Sequence, residues 1–232
     1  MLRMHRYGLT REQLGAWVLN CRRNAALNPI AMYRDPMTMD DYLSARMISD
    51  PLCLYDCDAP IDGSVAFVVS SSDAAKELPN PPLNIEAMSG ALYGKDSWDQ
   101  FEDLASMAAR DAGARLWETT KLKPQDMDIA NIYDGFSVQP MIWLEALGFC
   151  PEGESGQVIE GGEKIALEGE LPMNTGGGQL SGGRLHGFGL LRESCLQLWG
   201  QAGERQVRNN PEFALTSVGG GALAGCLVLG RK

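Results

Sequence analysis

A glycine-rich run beside a histidine is the segment of this sequence best suited to chemistry. The run spans residues 174–189 and contains His186, one of two histidines in the 232-residue chain. Glycines let backbone N–H groups approach a ligand closely, and an imidazole among them can polarise a carbonyl group or transfer a proton near neutral pH. The same pattern also suits a flexible surface loop with an incidental histidine, so both interpretations stay open.

Residues 133–137 form a second segment with reactive side chains, placed between an apolar stretch and a helical pattern. The Tyr133 phenol can donate a hydrogen bond to a carbonyl oxygen and, with a lowered pKa, exchange a proton. Asp134 or Ser137 can also serve only as the N-cap of the following helix. The sequence leaves a catalytic role and a capping role open for this segment.

A third segment, residues 216–221, combines Ser217 with three consecutive glycines. Between two apolar strands, backbone N–H groups in such a turn can form an oxyanion hole. A tight hairpin turn without any function needs the same glycines. The sequence therefore makes Gly219 and Gly220 candidate ligand contacts and, equally, candidate turn residues.

The charge balance excludes several classes of partner. Asp and Glu number 30 against 20 Lys and Arg, which gives a formal net charge of -10. Such a charge repels phosphate backbones and anionic lipid, so we expect no nucleic-acid partner and no membrane partner. The sequence shows no apolar run long enough to cross a membrane and no secretory signal, so we expect a soluble cytoplasmic protein.

The six cysteines favour reduced, buried thiols. Cys53 and Cys57 are spaced one helical turn apart, but a metal site would need more ligands than His5 and His186 supply, so none is expected. Motifs of a phosphate-binding loop, a dinucleotide-binding turn and a serine-hydrolase elbow are not found in the sequence. Nucleotide-binding proteins and serine hydrolases are therefore disfavoured.

The hydrophobic pattern predicts an α/β protein in which helices cover a mixed sheet. Helices are predicted at residues 10–28, where Thr10 and Gln13 form a capping box, and at 39–48, 97–119, 137–147 and 190–201. Strands are predicted at 65–69, 84–93, 127–133, 213–217 and 222–229, with a hairpin around Gly161 and Gly162. Three prolines within residues 79–82 indicate a domain boundary, although the same prolines also suit a simple loop.

Five segments resemble motifs of the thiolase superfamily, in its branch of sterol-carrier and lipid-transfer-like thiolases. Their order and spacing agree with that family along nearly the whole chain. The segments are residues 60–66, similar to P-x-x-D-G-A-A; 133–137, similar to H-D-C-F-S or N-E-A-F; 144–153, similar to E-A-L-G-L-C-P-E-G; 174–187, similar to N-x-x-G-G-x-x-x-x-G-H-P-x-G; and 217–221, similar to C-x-G-G-G.

The resemblance implies that residues 81–232 form the complete C-terminal half of a thiolase-like fold, a mixed five-stranded sheet covered by helices. Residues 1–80 are then a remnant of the N-terminal half, including its last strand at 65–69. The nucleophilic cysteine of thiolases lies upstream of the matched region. Cys21, Cys53 and Cys57 are therefore not expected to be that nucleophile.

The resemblance also assigns candidate site residues. The family histidine falls at Arg184, with His186 two positions later, and Ser217 stands in place of the second, proton-shuttling cysteine. Tyr133 matches a tyrosine thought to act as acid or base in thiolase-like aldolases that cleave steroid side-chain coenzyme A thioesters. We therefore expect catalytic roles for His186, Tyr133, Asp134 and Ser217, and ligand contacts from Gly183, Arg184, Gly219 and Gly220.

These features predict a thiolase-like acyltransferase or retro-aldolase that makes or breaks a carbon–carbon bond in a coenzyme A thioester of lipid or steroid side-chain metabolism. The thioester is the substrate, and no tightly bound cofactor is expected. The resemblance implies a need for a missing half or a partner subunit, such as an OB-fold protein with a zinc ribbon, and a homo-oligomer is also open. The alternative is a non-catalytic lipid-binding or scaffold module that docks on a partner protein.

Overall fold

The described residues build a four-stranded mixed sheet with helices on both faces. The computed structural model describes residues 1–92, 103–208 and 210–231. The helices are α1 (Leu2–Tyr7), α2 (Arg11–Ala26), α3 (Met39–Leu43), α4 (Ser72–Ala75), α5 (Met107–Glu118), α6 (Val138–Ala146), α7 (Ser155–Ile159), α8 (Gly178–Ser181) and α9 (Phe188–Leu198). The strands are β1 (Met47–Ser49), β2 (Leu52–Cys53), β3 (Leu83–Leu92), β4 (Ile129–Asn131), β5 (Phe213–Gly219) and β6 (Leu223–Arg231).

The main sheet has the spatial order β3-β6-β5-β4, and β1 and β2 form a separate antiparallel pair. Strand β6 pairs antiparallel with both β3 and β5, whereas β4 runs parallel to β5. The parallel pair aligns Asn131 with Thr216, so the carboxyl ends of β4 and β5 lie at the same edge of the sheet. The loops that follow these two strands are thereby brought side by side.

The two faces of the sheet carry separate hydrophobic clusters. On one face, α5 packs onto β3 and β6, where Leu116 and Val228 are completely buried. On the other face, α9 packs onto β4 and β5, where Leu198 and Ile129 are completely buried. The helix–sheet–helix arrangement agrees with the α/β class that the sequence predicts.

Helix α2 begins with the predicted capping box and joins the main core. Thr10 Oγ1 accepts from Gln13 N at 3.2 Å, and Gln13 Oε1 accepts from Thr10 N at 3.1 Å. Trp17 and Cys21 of α2 are completely buried in the cluster that also contains Met141 of α6. Residues before and after 79–82 thus share one core, and the division of the chain at residue 80 stays a prediction.

Residues 65–69 do not form the predicted strand. The segment has no regular structure and pairs with no strand of the described residues. Val68 and Val69 are 85% and 83% exposed, and the Phe67 ring lies 6.1 Å from that of Phe188. Apolar β-branched residues favour a strand only where a neighbouring strand and a packed surface receive them, and no described segment supplies these here.

Two further sheet predictions differ from the structure. Within the described residues the main sheet has four strands rather than five, and Met173 adds only a single parallel bridge to Ala130 beside β4. The predicted hairpin around Gly161 and Gly162 is wrong, because α7 precedes these glycines and turns follow them. The flanking apolar residues point into the core instead of pairing, and Ile159 is completely buried.

The remaining predicted elements are confirmed with shifted ends. Strand β4 and helix α3 are shorter than predicted, and β1 occupies part of the predicted helix at 39–48. Helix α5 begins at Met107, whereas residues 97–102 of the predicted helix lie outside the described residues.

Across the described ranges, no helix has both the length and the apolar composition needed to cross a lipid bilayer.

Candidate active site

Three loops meet at the edge of the sheet where β4 and β5 end. The backbone N–H of Tyr133, after β4, donates to Ser217 Oγ on β5 at 3.0 Å. The glycine-rich run approaches β5 so closely that a Cβ on Gly187 would lie 2.8 Å from the Val218 side chain. Gly187 also has a φ of 91°, a left-handed conformation that favours glycine. Residues 133–137, 174–189 and 216–221 thus come together at what we call the loop junction.

Asn174 fastens the start of the glycine-rich run to the end of β4. Its Nδ2 donates to Ile132 O at 2.9 Å, and its Oδ1 accepts from Ile132 N at 2.6 Å. Asn174 is completely buried, with a φ of 45° that asparagine tolerates better than most residues. Next to it, Thr175 N donates to Asn131 Oδ1 at 3.2 Å. These bonds fix the run relative to Tyr133, which directly follows Ile132.

A buried ion pair fixes helix α9, which continues the glycine-rich run. Arg205 Nη2 donates to Glu193 Oε2 at 2.9 Å, and the two side chains are 6% and 5% exposed. Thr175 Oγ1 donates to Glu193 Oε1 at 3.0 Å, so the same carboxylate ties the start of the run to α9. Removing one partner of a buried ion pair leaves an uncompensated charge. The position of α9 therefore depends on both charged residues.

The Tyr133 side chain is half-buried at the loop junction. Burial raises the pKa of its phenol, the Gln179 side chain acts to lower this pKa, and the Asp58 and Asp134 carboxylates act to raise it. The pKa of Tyr133 therefore lies above its ordinary value, and Tyr133 lacks the lowered pKa that would let it act as a base. A phenol of this kind is protonated at neutral pH and serves as a hydrogen-bond donor or general acid.

Asp134 is completely buried, and its carboxylate binds other parts of the junction rather than capping α6. Its Oδ1 accepts from Gln179 N at 2.7 Å, and its Oδ2 accepts from Cys21 Sγ at 3.4 Å. Burial raises the pKa of Asp134 to about 7, although these hydrogen bonds act to lower it. Ser137 stands at the N-cap of α6 but donates its hydroxyl to Asp56 Oδ1 at 2.6 Å. Neither side chain fills the capping role.

His186 and Arg184 lie on the exposed side of the glycine-rich run. The backbone N–H of Arg184 donates to Ala59 O at 2.9 Å, and its guanidinium Nε lies 3.7 Å from Asp58 Oδ2. Burial raises the pKa of Asp58, while the charges of Arg184 and His186 act to lower it. Both basic residues therefore act on one half-buried carboxylate, which also acts on Tyr133.

The turn between β5 and β6 uses part of its hydrogen-bonding capacity internally. Ser217 is almost completely buried and accepts from Tyr133 N, as described for the loop junction. Gly220 N donates to Leu223 O at 2.7 Å, and Gly219 O accepts from Trp143 Nε1 at 3.0 Å. The Gly220 amide thus closes the turn, and its predicted role as a ligand contact stays a prediction. The predicted roles of Ser217 and Gly219 stay predictions.

A cavity of about 280 Å³ lies along the glycine-rich run. Gly183 and Gln179 line it from the run, and residues 61–65 form another part of its wall. Gly183 approaches this wall so closely that a Cβ on it would lie 2.6 Å from Ile61 Cδ1. The described lining does not include Tyr133 or His186. Gln179 lines the cavity and also acts on the pKa of Tyr133, so it connects the cavity to the Tyr133 side of the junction.

Sequence reasoning missed three residues of this region. Gln179 lies inside the glycine-rich run, where a long polar side chain among glycines was the available signal. Asp58 and Cys21 reach the site only through tertiary contacts, so no local pattern marks them. Burial raises the pKa of Cys21 well above its usual range, which keeps the thiol protonated and agrees with the expectation that it is not a nucleophile.

Residues 90–231 match the family described as thiolase C-terminal domain-like. The chain belongs to the thiolase superfamily. The resemblance carried by the five sequence motifs is thereby confirmed, as is the thiolase-like fold with helices covering a mixed sheet. Relatives of this thiolase-family chain include a carboxyl-CoA lyase, a steroid side-chain-cleaving aldolase, acetyl-CoA acetyltransferases and sterol carrier protein 2.

Two relatives and one solved structure align with most of this thiolase-family chain. It is 36% identical to the 17-hydroxy-3-oxo-4-pregnene-20-carboxyl-CoA lyase of Mycobacterium tuberculosis, over 98% of this chain and 59% of the lyase. It is 37% identical to the steroid side-chain-cleaving aldolase of Thermomonospora curvata, over 82% of this chain and 50% of the aldolase. The solved Ltp2-ChsH2(DUF35) aldolase superposes with a TM-score of 0.92 at 32% identity, over 99% of this chain and 61% of that chain. The chain thus spans between 50% and 61% of the length of these proteins.

Proposed function

We propose that this thiolase-family chain carries part of an aldolase site that breaks a carbon–carbon bond in a coenzyme A thioester. The observation that carries the proposal is the protonated Tyr133 phenol next to the half-buried Asp58 carboxylate, an acid and a base in one site. The similarity to a coenzyme A lyase along 98% of the chain supports this assignment. Thiolase condensation uses cysteines instead, and Ser217 stands where the family resemblance places the second one.

The proposed reaction is a retro-aldol cleavage of a β-hydroxyacyl thioester. A base takes the proton of the β-hydroxyl group, the bond between the α and β carbons breaks, and a carbonyl compound leaves. The electron pair remains on the thioester as an enolate, which is protonated at the α carbon to give a shortened acyl thioester. The residues at the loop junction and the adjacent Asp58 are assigned to these steps by their protonation states.

Asp58 is suited to accept the hydroxyl proton, because its raised pKa makes it a stronger base than an ordinary carboxylate. Tyr133 is suited to protonate the enolate, because its phenol holds its proton at neutral pH. His186, on the exposed side, and backbone N–H groups of the glycine-rich run stabilise the enolate oxygen. The proton on Asp58 then returns to Tyr133, so each turnover leaves both residues unchanged.

A steroid or lipid side-chain thioester of coenzyme A is the substrate class in this proposal, and no tightly bound cofactor takes part. The names of the two aligned relatives support it, since one is a pregnene carboxyl-CoA lyase and the other a steroid side-chain-cleaving aldolase.

A cytoplasmic location belongs to the same proposal. All six cysteines are free thiols, a state that a reducing compartment maintains.

A partner subunit completes the enzyme in this proposal, and we assign it to the OB-fold proteins with a zinc ribbon. The solved aldolase that aligns with this chain is named for two components, Ltp2 and ChsH2(DUF35). One face of β3 also exposes the apolar side chains of Ile85, Met88 and Leu92, which are 51%, 67% and 67% exposed. An exposed apolar sheet surface of this kind is typical of a protein contact.

A non-catalytic lipid-binding or scaffold module is the second candidate function. It is favoured by the exposure of His186. Isothermal titration with a β-hydroxyacyl coenzyme A separates the two candidates. An aldolase site binds the thioester, whereas a docking module shows no heat of thioester binding even with the proposed partner subunit present.

The assignment of Asp58 is tested in a cleavage assay on the chain with the proposed partner subunit and a β-hydroxyacyl coenzyme A. We expect Asp58→Asn to lower kcat by about 10²-fold or more, because it removes the base. Asp73→Asn, a change of an exposed aspartate on α4, is the matched control and should keep the rate of the unsubstituted chain. A rate in Asp58→Asn equal to that of the control would contradict the role of Asp58 as the base.

A further inference from the structure

The corner formed by His186 and Gly187 has a backbone conformation that depends on its surroundings. Both residues have a positive φ, 49° at His186 and 91° at Gly187. A left-handed backbone of this kind is uncommon for a residue with a Cβ atom, such as histidine. His186 is exposed, whereas Gly187 is buried. The place of the imidazole is therefore set by the backbone of this corner and by the groups that the backbone contacts.

The buried N–H of Gly187 donates to the side chain of Gln179. The distance from Gly187 N to Gln179 Oε1 is 3.2 Å. A buried backbone N–H needs an acceptor, and the Nε2 group of a glutamine can only donate, so the amide turns its oxygen towards Gly187. Nε2 has no hydrogen-bond partner among the described residues. Within that part of the chain, the bond to Gly187 thus sets the orientation of the Gln179 amide.

Gln179 is itself held from two other directions. Its backbone N–H donates to Asp134 Oδ1 at 2.7 Å, and its backbone oxygen accepts from Ala59 N at 3.0 Å. Asp134 directly follows Tyr133 in the sequence, and Ala59 directly follows Asp58. Gln179 is only 2% exposed. A fixed, buried residue therefore joins the His186 corner to the two segments that carry the proposed acid and base.

We propose that Gln179 is a positioning residue that holds the corner at His186 and Gly187 where the imidazole stabilises the enolate oxygen. The inference rests on the proposed function, in which His186 has that role. The corner is limited sterically from β5, since a Cβ on Gly187 would lie 2.8 Å from the Val218 side chain. Replacing the Gln179 side chain retains this limit and both backbone bonds of Gln179, but removes the acceptor of Gly187 N. The change thus affects the place of His186 and leaves the acid and the base where they are.

The hydrogen bond is tested by amide hydrogen exchange at Gly187, measured by NMR on the whole chain. Gln179→Leu and Gln179→Met remove the acceptor and should speed exchange of the Gly187 N–H by about tenfold or more. Methionine keeps the length of the glutamine side chain, which guards against a loss of folding. Gln179→Glu keeps an acceptor oxygen in either protonation state and should leave this N–H protected.

Gln206→Leu is the matched control for the exchange measurement. Gln206 Oε1 also accepts from a backbone N–H, that of Ala202 at 3.0 Å, but lies outside the loop junction. The control should leave exchange at Gly187 unchanged. Equal exchange rates at Gly187 in the unsubstituted chain and in Gln179→Met would overturn the proposal, whatever the activity of the variant.

A double-mutant cycle on kcat separates the positioning of His186 from a general structural role. In the cleavage assay with a β-hydroxyacyl coenzyme A and the proposed partner subunit, Gln179→Met should lower kcat by about tenfold. In a chain that already carries His186→Ala, the same change should lower kcat by no more than about twofold, because the group to be positioned is gone. Equal losses in the two backgrounds would overturn the positioning role. An unchanged kcat in His186→Ala alone would instead contradict the proposed function of His186, and exchange at Gly187 would still decide whether Gln179 holds the corner.

Discussion

Burial keeps the Asp134 carboxyl protonated up to a pH of about 7 in the folded chain. In the unfolded chain the same group loses its proton at a pH of about 4. Between these two values the folded state binds one more proton than the unfolded state, so raising the pH lowers the free energy of unfolding. Below pH 4 and above pH 7 this residue makes no further contribution to the pH dependence.

Replacing Asp134 with a residue that does not titrate should remove this pH dependence. Asp134→Asn keeps an acceptor oxygen for Gln179 N but does not titrate. As the pH rises from about 4 to 7, the free energy of unfolding of this variant should therefore increase relative to that of the unsubstituted chain. Urea unfolding at several pH values measures the gap. Asp73→Asn, at an exposed aspartate, should leave the pH dependence unchanged. A gap between Asp134→Asn and the unsubstituted chain that stays constant over this window would show that Asp134 is not protonated in the fold.

At the scale of elements, Asn174 joins the glycine-rich run to β4 through two bonds with Ile132. Asn174→Ala leaves the buried N–H and C=O of Ile132 unpaired and should lower the free energy of unfolding by about 2 kcal/mol or more. Asn210→Ala is the matched control, because Asn210 also has a left-handed backbone, with a φ of 48°, but is exposed. The control should lose only about 1 kcal/mol. Equal losses in chemical denaturation would argue that backbone conformation, not the side-chain bonds, explains the role of Asn174.

Local patterns predicted those elements whose signals lie within the element itself. The Thr10–Gln13 capping box and the apolar strands β5 and β6 are examples, since each depends on residues a few positions apart. Residues 65–69 carry an equally apolar pattern, yet a strand needs a partner strand and none pairs with them in the described chain. The residues of the candidate site also differ in whether a local sequence pattern marks them. Tyr133 and the glycine-rich run have local signals, whereas Asp58 and Cys21 are placed by contacts that no local pattern encodes.

At the scale of the whole molecule, the exposed apolar face of β3 is expected to govern association. We predict that the isolated chain self-associates in sedimentation velocity, because Met88 and Leu92 are each 67% exposed on that face. Introducing charges with Met88→Glu and Leu92→Glu together should shift the distribution toward monomer. Leu54→Glu, a change of another exposed leucine outside β3, should not. Identical sedimentation of all three proteins would exclude this face as the contact.

In the proposed cleavage of a coenzyme A thioester, Tyr133 is the proton donor. This role is tested by the rate at which the chain, with the proposed partner subunit, converts a β-hydroxyacyl coenzyme A into a carbonyl product and a shortened thioester. Tyr133→Phe removes only the hydroxyl group and should lower kcat by about 10²-fold or more while substrate binding is retained. Tyr33→Phe, at a tyrosine outside the loop junction, should keep the full rate. A Tyr133→Phe rate equal to that of the unsubstituted chain would contradict the account.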